Sequence, residues 1–282
     1  HYPLRRQRQM CIRDRLSEER HVIRQHKGYE HYVVVRQRRD GAKAGRAALV
    51  YCHGGGFIHG DPDAHRDLQR YLAWRYDLVV VSTSYDLVTI PRYPGEFRWA
   101  RAQADFLGID ADRVALSGSS AGAYHTGMVC CTHDDPDLAG GDALNDQSAR
   151  PDAAVLLWGP MDFVARYHGQ GGANSATPNL LGCTYPEDPK AYHLASVVTR
   201  TKPGLPPALF VQGRNDQVVH LVQGELGHAA WRRAGAEVDL QLYDFIGHGC
   251  HEAADNRACL RDVGNWLARR FGLKAVDGTA AP

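Results

Sequence analysis

A serine with the spacing of an activated nucleophile lies in the stretch Gly118-Ser119-Ser120-Ala121-Gly122. A strand is predicted to end just before this G-x-S-x-G stretch and a helix to begin just after Ser120. Small residues allow a sharp turn between such elements, which lifts the serine hydroxyl above the edge of the sheet. Ser119 also carries a hydroxyl, but only Ser120 has glycine two residues away on both sides. Ser120 is therefore the predicted nucleophile, and the predicted chemistry is attack on a carbonyl carbon.

A run of three glycines could stabilise the negative charge that such an attack creates. It lies in His53-Gly54-Gly55-Gly56-Phe57, directly after an apolar run that predicts a buried strand. Consecutive glycines let backbone N–H groups approach a small anion without side-chain obstruction. The predicted oxyanion donors are the amides of Gly55, Gly56 and Ala121. A flexible turn is the alternative interpretation, and His53 is expected to fix the loop rather than to act as the base.

A serine hydroxyl needs a base, and the base needs an orienting acid. With 15 histidines in the chain, presence alone selects none of them. His248 lies between glycines, after the last predicted strand and before the last helix, which places it at the same sheet edge as Ser120. His251 is the competing base.

The predicted acid is Asp216, which follows an apolar strand and a short turn. Asp162, after the preceding strand, is its rival. Ser120, Asp216 and His248 then occur in the chain order Ser, Asp, His, which is that of the α/β-hydrolase fold. No third ligand accompanies His248 and His251, so no metal site is predicted.

Short apolar runs alternate with segments of helical period along most of the chain. The predicted strands are Tyr32–Arg36, Ala47–Cys52, Leu78–Thr83, Arg113–Ser117, Ala153–Trp158, Ala208–Gln212 and Val238–Phe245. The predicted helices are Ala64–Arg75, Gly95–Leu107, Ala121–Cys131, Leu221–Ala234 and Cys259–Phe271. This alternation predicts an α/β protein with a mostly parallel sheet covered by helices on both faces, and with its site at the carboxyl ends of the strands. The long stretch Met161–Pro206 is predicted to be an excursion over that site.

Composition limits the function classes. The chain has 282 residues, 44% of them hydrophobic, and a formal net charge of +1. The longest apolar runs have six residues, whereas a membrane-spanning helix needs about 18 or more. The near-neutral charge favours neither nucleic acid nor an anionic membrane as a partner.

The charge is unevenly distributed. Residues 1–28 hold eight Lys and Arg against three Asp and Glu. This basic segment is expected to be partly extraneous or disordered, with residues 29–282 forming a single domain. It lacks the apolar stretch of a secretory signal, so a cytoplasmic location is expected, with secretion as the alternative if the amino terminus is incomplete. The seven cysteines show no metal-binding spacing, although one disulfide among Cys183, Cys250 and Cys259 is an open alternative.

From Ala47 to Phe271 the chain resembles the α/β-hydrolase superfamily. The HGGGF and GxSAG motifs are similar to those of hormone-sensitive-lipase-like carboxylesterases. Asn179-Leu180-Leu181-Gly182, Tyr192–Ser196 and Gly247-His248-Gly249 are more similar to the feruloyl and acetylxylan esterase branch, which has formamidase relatives. Ser119 departs from the Asp, Glu or His that usually precedes the nucleophile in such enzymes.

These residues predict a cofactor-independent carboxylesterase acting on a small ester through an acyl-enzyme. Amide hydrolysis by the same triad and a non-catalytic ligand-binding role are the alternatives. Phe57, Tyr124 and Trp158 are predicted apolar contacts of the substrate. A homodimer is an open alternative for the oligomeric state.

Overall fold

The computed structural model describes residues 14–26, 29–85, 95–137, 144, 146–174, 176–244, 246–249 and 253–276 of the chain. Within these ranges it contains an eight-stranded sheet. The strands are β1 Leu16–His26, β2 Tyr29–Arg38, β3 Arg46–Cys52, β4 Val79–Thr83, β5 Ile109–Ser119, β6 Ala153–Leu157, β7 Ala208–Gly213 and β8 Val238–Tyr243. The helices are α1 Arg66–Tyr76, α2 Gly95–Ala102, α3 Ala104–Leu107, α4 Ala121–Thr132, α5 Phe163–Gly169, α6 Ala176–Leu181, α7 Pro189–Ala195, α8 Leu221–Arg233 and α9 Ala253–Phe271.

The strand order across the sheet is β1-β2-β4-β3-β5-β6-β7-β8. Strands β3 to β8 pair in parallel, whereas β1 and β2 form an antiparallel edge. This arrangement confirms the predicted mostly parallel sheet. Because β3 and β5 are neighbours, with Cys52 in register with Gly118, the segments that follow these two strands meet at one edge.

The sheet has a hydrophobic core on each face. In β3, Leu49 and Tyr51 point into a cluster that also holds residues of α1 and α9. Val50 and Cys52 point to the opposite face, into a cluster with residues of α2 and α4. A strand buried on both faces must be apolar at successive positions, which explains the unbroken apolar run of this strand.

The expectation that residues 1–28 stand apart from the fold is corrected for the described part of that segment. Leu16–His26 forms β1 and pairs with β2 along its length. The register places Glu18 opposite Arg36, with Oε2 of the carboxylate 3.1 Å from Nε of the buried guanidinium. Charged residues are common on edge strands, and they hid the strand pattern in the sequence.

Other predicted element boundaries also differ. The helix predicted over Gly95–Leu107 is divided at Gln103 into α2 and α3. Strand β5 begins at Ile109, four residues earlier than predicted, and α9 begins six residues earlier, at Ala253. The first turns of α9 are rich in polar residues. The spacing of apolar residues therefore predicted a start for this helix that is too late in the chain.

The stretch Met161–Pro206 contains α5, α6, α7 and two 3-10 turns rather than irregular chain. It is anchored by buried side chains such as Tyr192 and Val197, which join a cluster with α4 and α8. Cys183 has a free thiol, and Cys250 lies outside the described residues. Among the helices of the described ranges, none is both long and apolar enough to cross a membrane.

Candidate active site

Ser120 lies in a strained turn between β5 and α4. Its backbone angles are φ 53° and ψ −117°, in a region that residues other than glycine rarely adopt. Glycine is required on both sides of the turn. A Cβ on Gly118 would lie 2.3 Å from backbone atoms of Gly122, and a Cβ on Gly122 would lie 2.1 Å from the carbonyl oxygen of Cys52. The two glycines thus let the turn pack directly against the end of β3.

The neighbouring hydroxyl is in a different position. Ser119 is 1% exposed, and its Oγ is buried. A hydroxyl enclosed by protein cannot reach a substrate carbonyl, so the geometry favours Ser120 over Ser119 as the nucleophile.

His248 joins Ser120 to Asp216. Its Nε2 lies 3.0 Å from Oγ of Ser120, and its Nδ1 lies 2.8 Å from Oδ2 of Asp216. A carboxylate only accepts hydrogen bonds, so Nδ1 carries the proton and the lone pair of Nε2 faces the serine hydroxyl. This is the tautomer that a general base needs. The competing base His251 lies outside the described residues.

The carboxylate of Asp216 is held by four donors in a fully buried position. Besides His248, these are the backbone N–H groups of Val218 and Val219, at 2.9 and 2.8 Å from Oδ1, and Nε2 of Gln212, at 3.0 Å from Oδ2. These four donors fix the orientation of the carboxylate toward the imidazole.

Asp162, the alternative catalytic acid, instead caps a helix. Its Oδ1 accepts hydrogen bonds from the backbone N–H groups of Val164 and Ala165, at 2.9 and 3.0 Å. It is therefore the N-cap of α5. The geometry brings Asp216, and not Asp162, to the histidine.

A close approach of two turns brings acid and base together. A Cβ on Gly213, the last residue of β7, would lie 2.2 Å from the carbonyl oxygen of Ile246. The backbone N–H of Asn215 donates to that same oxygen at 3.2 Å. The turn after β8, with His248 at its tip, thus rests on the turn that carries Asp216.

The predicted oxyanion turn has its carbonyl groups engaged within the loop. Nδ1 of His53 lies 2.7 Å from the carbonyl oxygen of Gly54, and the N–H groups of Ile58 and His59 donate to that of Gly55 at 3.1 and 3.2 Å. In a trans peptide the C=O and the following N–H point in opposite directions. The N–H groups of Gly55 and Gly56 are therefore directed away from those contacts, as oxyanion donors require. The third predicted donor, Ala121, is at the first position of α4, where the N–H has no partner within the helix.

A stack of three buried rings supports this turn. Tyr85 lies between His53 and His125, with ring centroids 4.4 and 5.4 Å away and interplanar angles of 19° and 13°. Its hydroxyl donates to the carbonyl oxygen of His53 at 2.6 Å. Burial lowers the pKa of His53, and it lowers the pKa of His125 to about 4. Both imidazoles are therefore neutral near pH 7, and His53 donates through Nδ1.

The predicted substrate contacts need correction. Tyr124 is fully enclosed, and its hydroxyl donates to the carbonyl oxygen of Ala195 at 2.9 Å. Trp158 is 3% exposed and Phe57 9% exposed, with the Phe57 ring edge-on to Tyr124. All three rings belong to hydrophobic clusters of the core, so a position next to the motifs does not by itself expose an aromatic ring to a substrate.

Sequence reasoning missed three residues that contact the site. Gln212 donates to Asp216, and Tyr85 donates to the carbonyl oxygen of His53. Arg166 of α5 donates through Nη1 to the carbonyl oxygen of Val218 at 2.9 Å. Burial lowers the pKa of Arg166, while the charge of Asp216 acts in the opposite direction. Of the three, only Gln212 carried a signal, because it is a polar residue at the end of an otherwise apolar strand.

Comparison with known proteins places this geometry in a family. The model of the BD-FAE family matches residues 38–230. Carboxylic ester hydrolase LipN of Mycobacterium tuberculosis is 29% identical over 221 residues, which are 71% of this chain and 56% of LipN. Ethyl acetate hydrolase of Pseudomonas putida is 41% identical over 90 residues, which are 29% of this chain and 28% of that enzyme. The chain thus spans about half the length of LipN and less of the second relative.

Solved structures show the same fold. The butyrate-bound esterase Est2 of Thermogutta terrifontis has a TM-score of 0.75, at 21% identity, over 93% of this chain and 96% of Est2. Esterase 2 of the same organism has also been solved phosphorylated by paraoxon.

Proposed function

The chain belongs to the BD-FAE family, and from this membership and the site geometry we propose that it is a serine hydrolase of carboxylic esters. The observation that carries the proposal is the position of His248, 3.0 Å from Ser120 Oγ and 2.8 Å from Asp216 Oδ2. The strained backbone of Ser120 and the adjacent glycine turn support it.

In the proposed reaction Ser120 Oγ attacks the ester carbonyl carbon while Nε2 of His248 takes the hydroxyl proton. Asp216 holds the imidazole tautomer and stabilises the imidazolium that forms. The N–H groups of Gly55, Gly56 and Ala121 stabilise the oxyanion, and each such donor is typically worth a factor of about 10² to 10³ in rate.

Collapse of this intermediate breaks the ester C–O bond. His248 returns its proton to the departing alcohol, which leaves an acyl group on Ser120. Water then attacks the acyl-enzyme with His248 again as base, and the acid product leaves. The residues involved supply the nucleophile, the base and the charge stabilisation.

The proposed substrates are small esters with short acyl groups. Two observations on related proteins support this: one relative is an ethyl acetate hydrolase, and a structural neighbour was solved with butyrate. The test is a series of p-nitrophenyl esters from acetyl to long-chain acyl groups, with p-nitroacetanilide as the amide counterpart. Turnover should be fastest on the shortest esters. Faster turnover of the anilide than of the acetyl ester would assign amide hydrolysis instead.

The nucleophile is tested by a pair of adjacent variants. Ser120→Ala should abolish turnover of p-nitrophenyl acetate and covalent labelling by paraoxon, while Ser119→Ala should retain both. The two serines differ by one position, so the pair controls for general damage to the turn. Equal turnover by Ser120→Ala and the unaltered protein would refute the assignment.

A further inference from the structure

Gln212 places its side-chain amide against the predicted catalytic acid. The residue is at the end of β7 and is fully buried. Its Nε2 lies 3.0 Å from Asp216 Oδ2 and 2.8 Å from the carbonyl oxygen of Val219. Both neighbours are acceptors, so the nitrogen, and not the oxygen, of the amide must face them. Both N–H bonds of this amide are therefore used.

The other half of the same amide is not satisfied. Within the described part of the chain, Oε1 of Gln212 has no hydrogen-bond partner. This oxygen lies against helix α8, so close to Gly224 that a Cβ added to the glycine would be 3.3 Å from it. A buried carbonyl oxygen without a partner destabilises the folded state. Only the two N–H bonds of this side chain, both made at the turn of Asp216, offset that cost.

We infer that Gln212 is a positioning residue of the catalytic triad. One N–H holds Asp216 Oδ2, the oxygen that also accepts from His248, in line with the imidazole. The other N–H fixes Val219 and thereby the turn whose backbone N–H groups bind Oδ1. This inference rests on the proposed function, because it assigns a role within that reaction.

The arrangement also affects the charge that the imidazole experiences. The ionisable groups facing this carboxylate include His248 and Arg166, the latter from α5. The Gln212 N–H withdraws electron density from Oδ2, so its removal leaves more negative charge beside the imidazole. The protonated imidazole is then favoured, and the acid limb of the kcat/KM profile should move to higher pH.

Gln212→Met tests this role, because methionine has a similar length and neither donates nor accepts strongly. We expect kcat on p-nitrophenyl acetate to fall about five- to tenfold, with KM within twofold. We also expect the acid limb of kcat/KM to move to higher pH, and the melting temperature to fall, because the hydrogen bonds to Asp216 and Val219 are lost. Gln212→Glu, which places a second carboxylate beside Asp216, should lower kcat further at neutral pH.

Gln223→Met is the matched control. Gln223 is also fully buried, with an unpartnered Nε2 in the described structure, and its Oε1 accepts from the N–H groups of Met161 and Asp162, both at 2.8 Å. It does not contact Asp216. The control should lower the melting temperature and leave the acid limb in place.

An unchanged kcat in Gln212→Met overturns the inference. If kcat and melting temperature both fall, the acid limb decides: a limb that moves supports a positioning role, and one that stays refutes it. Absence of Ser120-dependent turnover in the unaltered protein would instead contradict the proposed function. The two failures are therefore distinguishable.

Discussion

Gly122 lies so close to Cys52 that a Cβ at position 122 would be 2.1 Å from the Cys52 carbonyl oxygen. This contact joins the nucleophile helix to the end of the strand that leads into the oxyanion turn. Two elements of the proposed catalytic site that are about 70 residues apart in sequence are thereby held in direct backbone contact.

Gly122→Ala should therefore damage both stability and activity. The new methyl group meets backbone atoms, which cannot rotate away, so we expect a loss of about 1–3 kcal/mol in the free energy of unfolding and a lower kcat. Gly127→Ala is the control in the same helix, because its Cβ would meet side-chain atoms of Val197 at 3.0 Å or more. Urea unfolding and ester turnover measure both effects. Equal stability of the two variants would contradict the packing argument.

The two candidate acids are separated by a pair of isosteric substitutions. Asp216→Asn should lower kcat by a factor on the order of 10⁴, because an amide no longer fixes the Nδ1–H tautomer of His248. Asp162→Asn should remain close to the unaltered protein, since asparagine caps a helix about as well as aspartate. The reverse order of activities would make Asp162 the catalytic acid.

Tyr85→Phe probes the support of the oxyanion turn. The substitution keeps the stacked ring but removes the hydroxyl that donates to the His53 carbonyl at 2.6 Å. We expect kcat to fall about three- to tenfold with little change in KM, because in the proposed reaction the turn stabilises charge that develops only in the transition state. Tyr192→Phe removes a comparable bond, to the carbonyl oxygen of Cys183 at 3.0 Å, and should leave kcat unchanged.

His125 should make the protein less stable in acid. Its pKa is lowered from 6.5 to about 4 in the folded state by burial and by His53. Between about pH 6.5 and pH 4, His125 is protonated in the unfolded chain but not in the folded state. Its contribution to the free energy of unfolding is therefore greatest above pH 6.5 and declines down to about pH 4. The difference between the two pKa values corresponds to at most about 3 kcal/mol.

His125→Leu removes this group at similar volume. The free energy of unfolding from urea titrations should therefore decrease less between pH 7 and pH 4.5 in the variant than in the unaltered protein. His53 remains in both proteins. An identical decrease would show that His125 does not cause the acid sensitivity.

Strand β1 could not be predicted from the sequence pattern alone. An apolar run such as that of β3 identifies a buried strand, because both of its faces must be covered. An edge strand needs few apolar residues, so Glu18 and its neighbours looked like part of a solvated basic segment. Its membership in the sheet depends on pairing with β2 and on the buried guanidinium of Arg36, which come from elsewhere in the chain.

Local sequence determined the chemistry of the nucleophile turn. Glycines at 118 and 122 are required by steric contacts of that turn, so its spacing identifies Ser120 without knowledge of the rest of the molecule. The order Ser120, Asp216, His248 likewise follows from an alternation of strands and helices that the residues themselves display.

Tertiary structure decided which of two aspartates meets the histidine and which aromatic rings are enclosed. Asp162 and Asp216 both follow apolar strands, and only the packing of Gly213 against Ile246 brings the latter to His248. Tyr124 lies one turn beyond Ser120, yet its ring points into the core. Distances between segments far apart in the chain depend on how the layers pack, and a sequence pattern records the face of an element but not what lies opposite it.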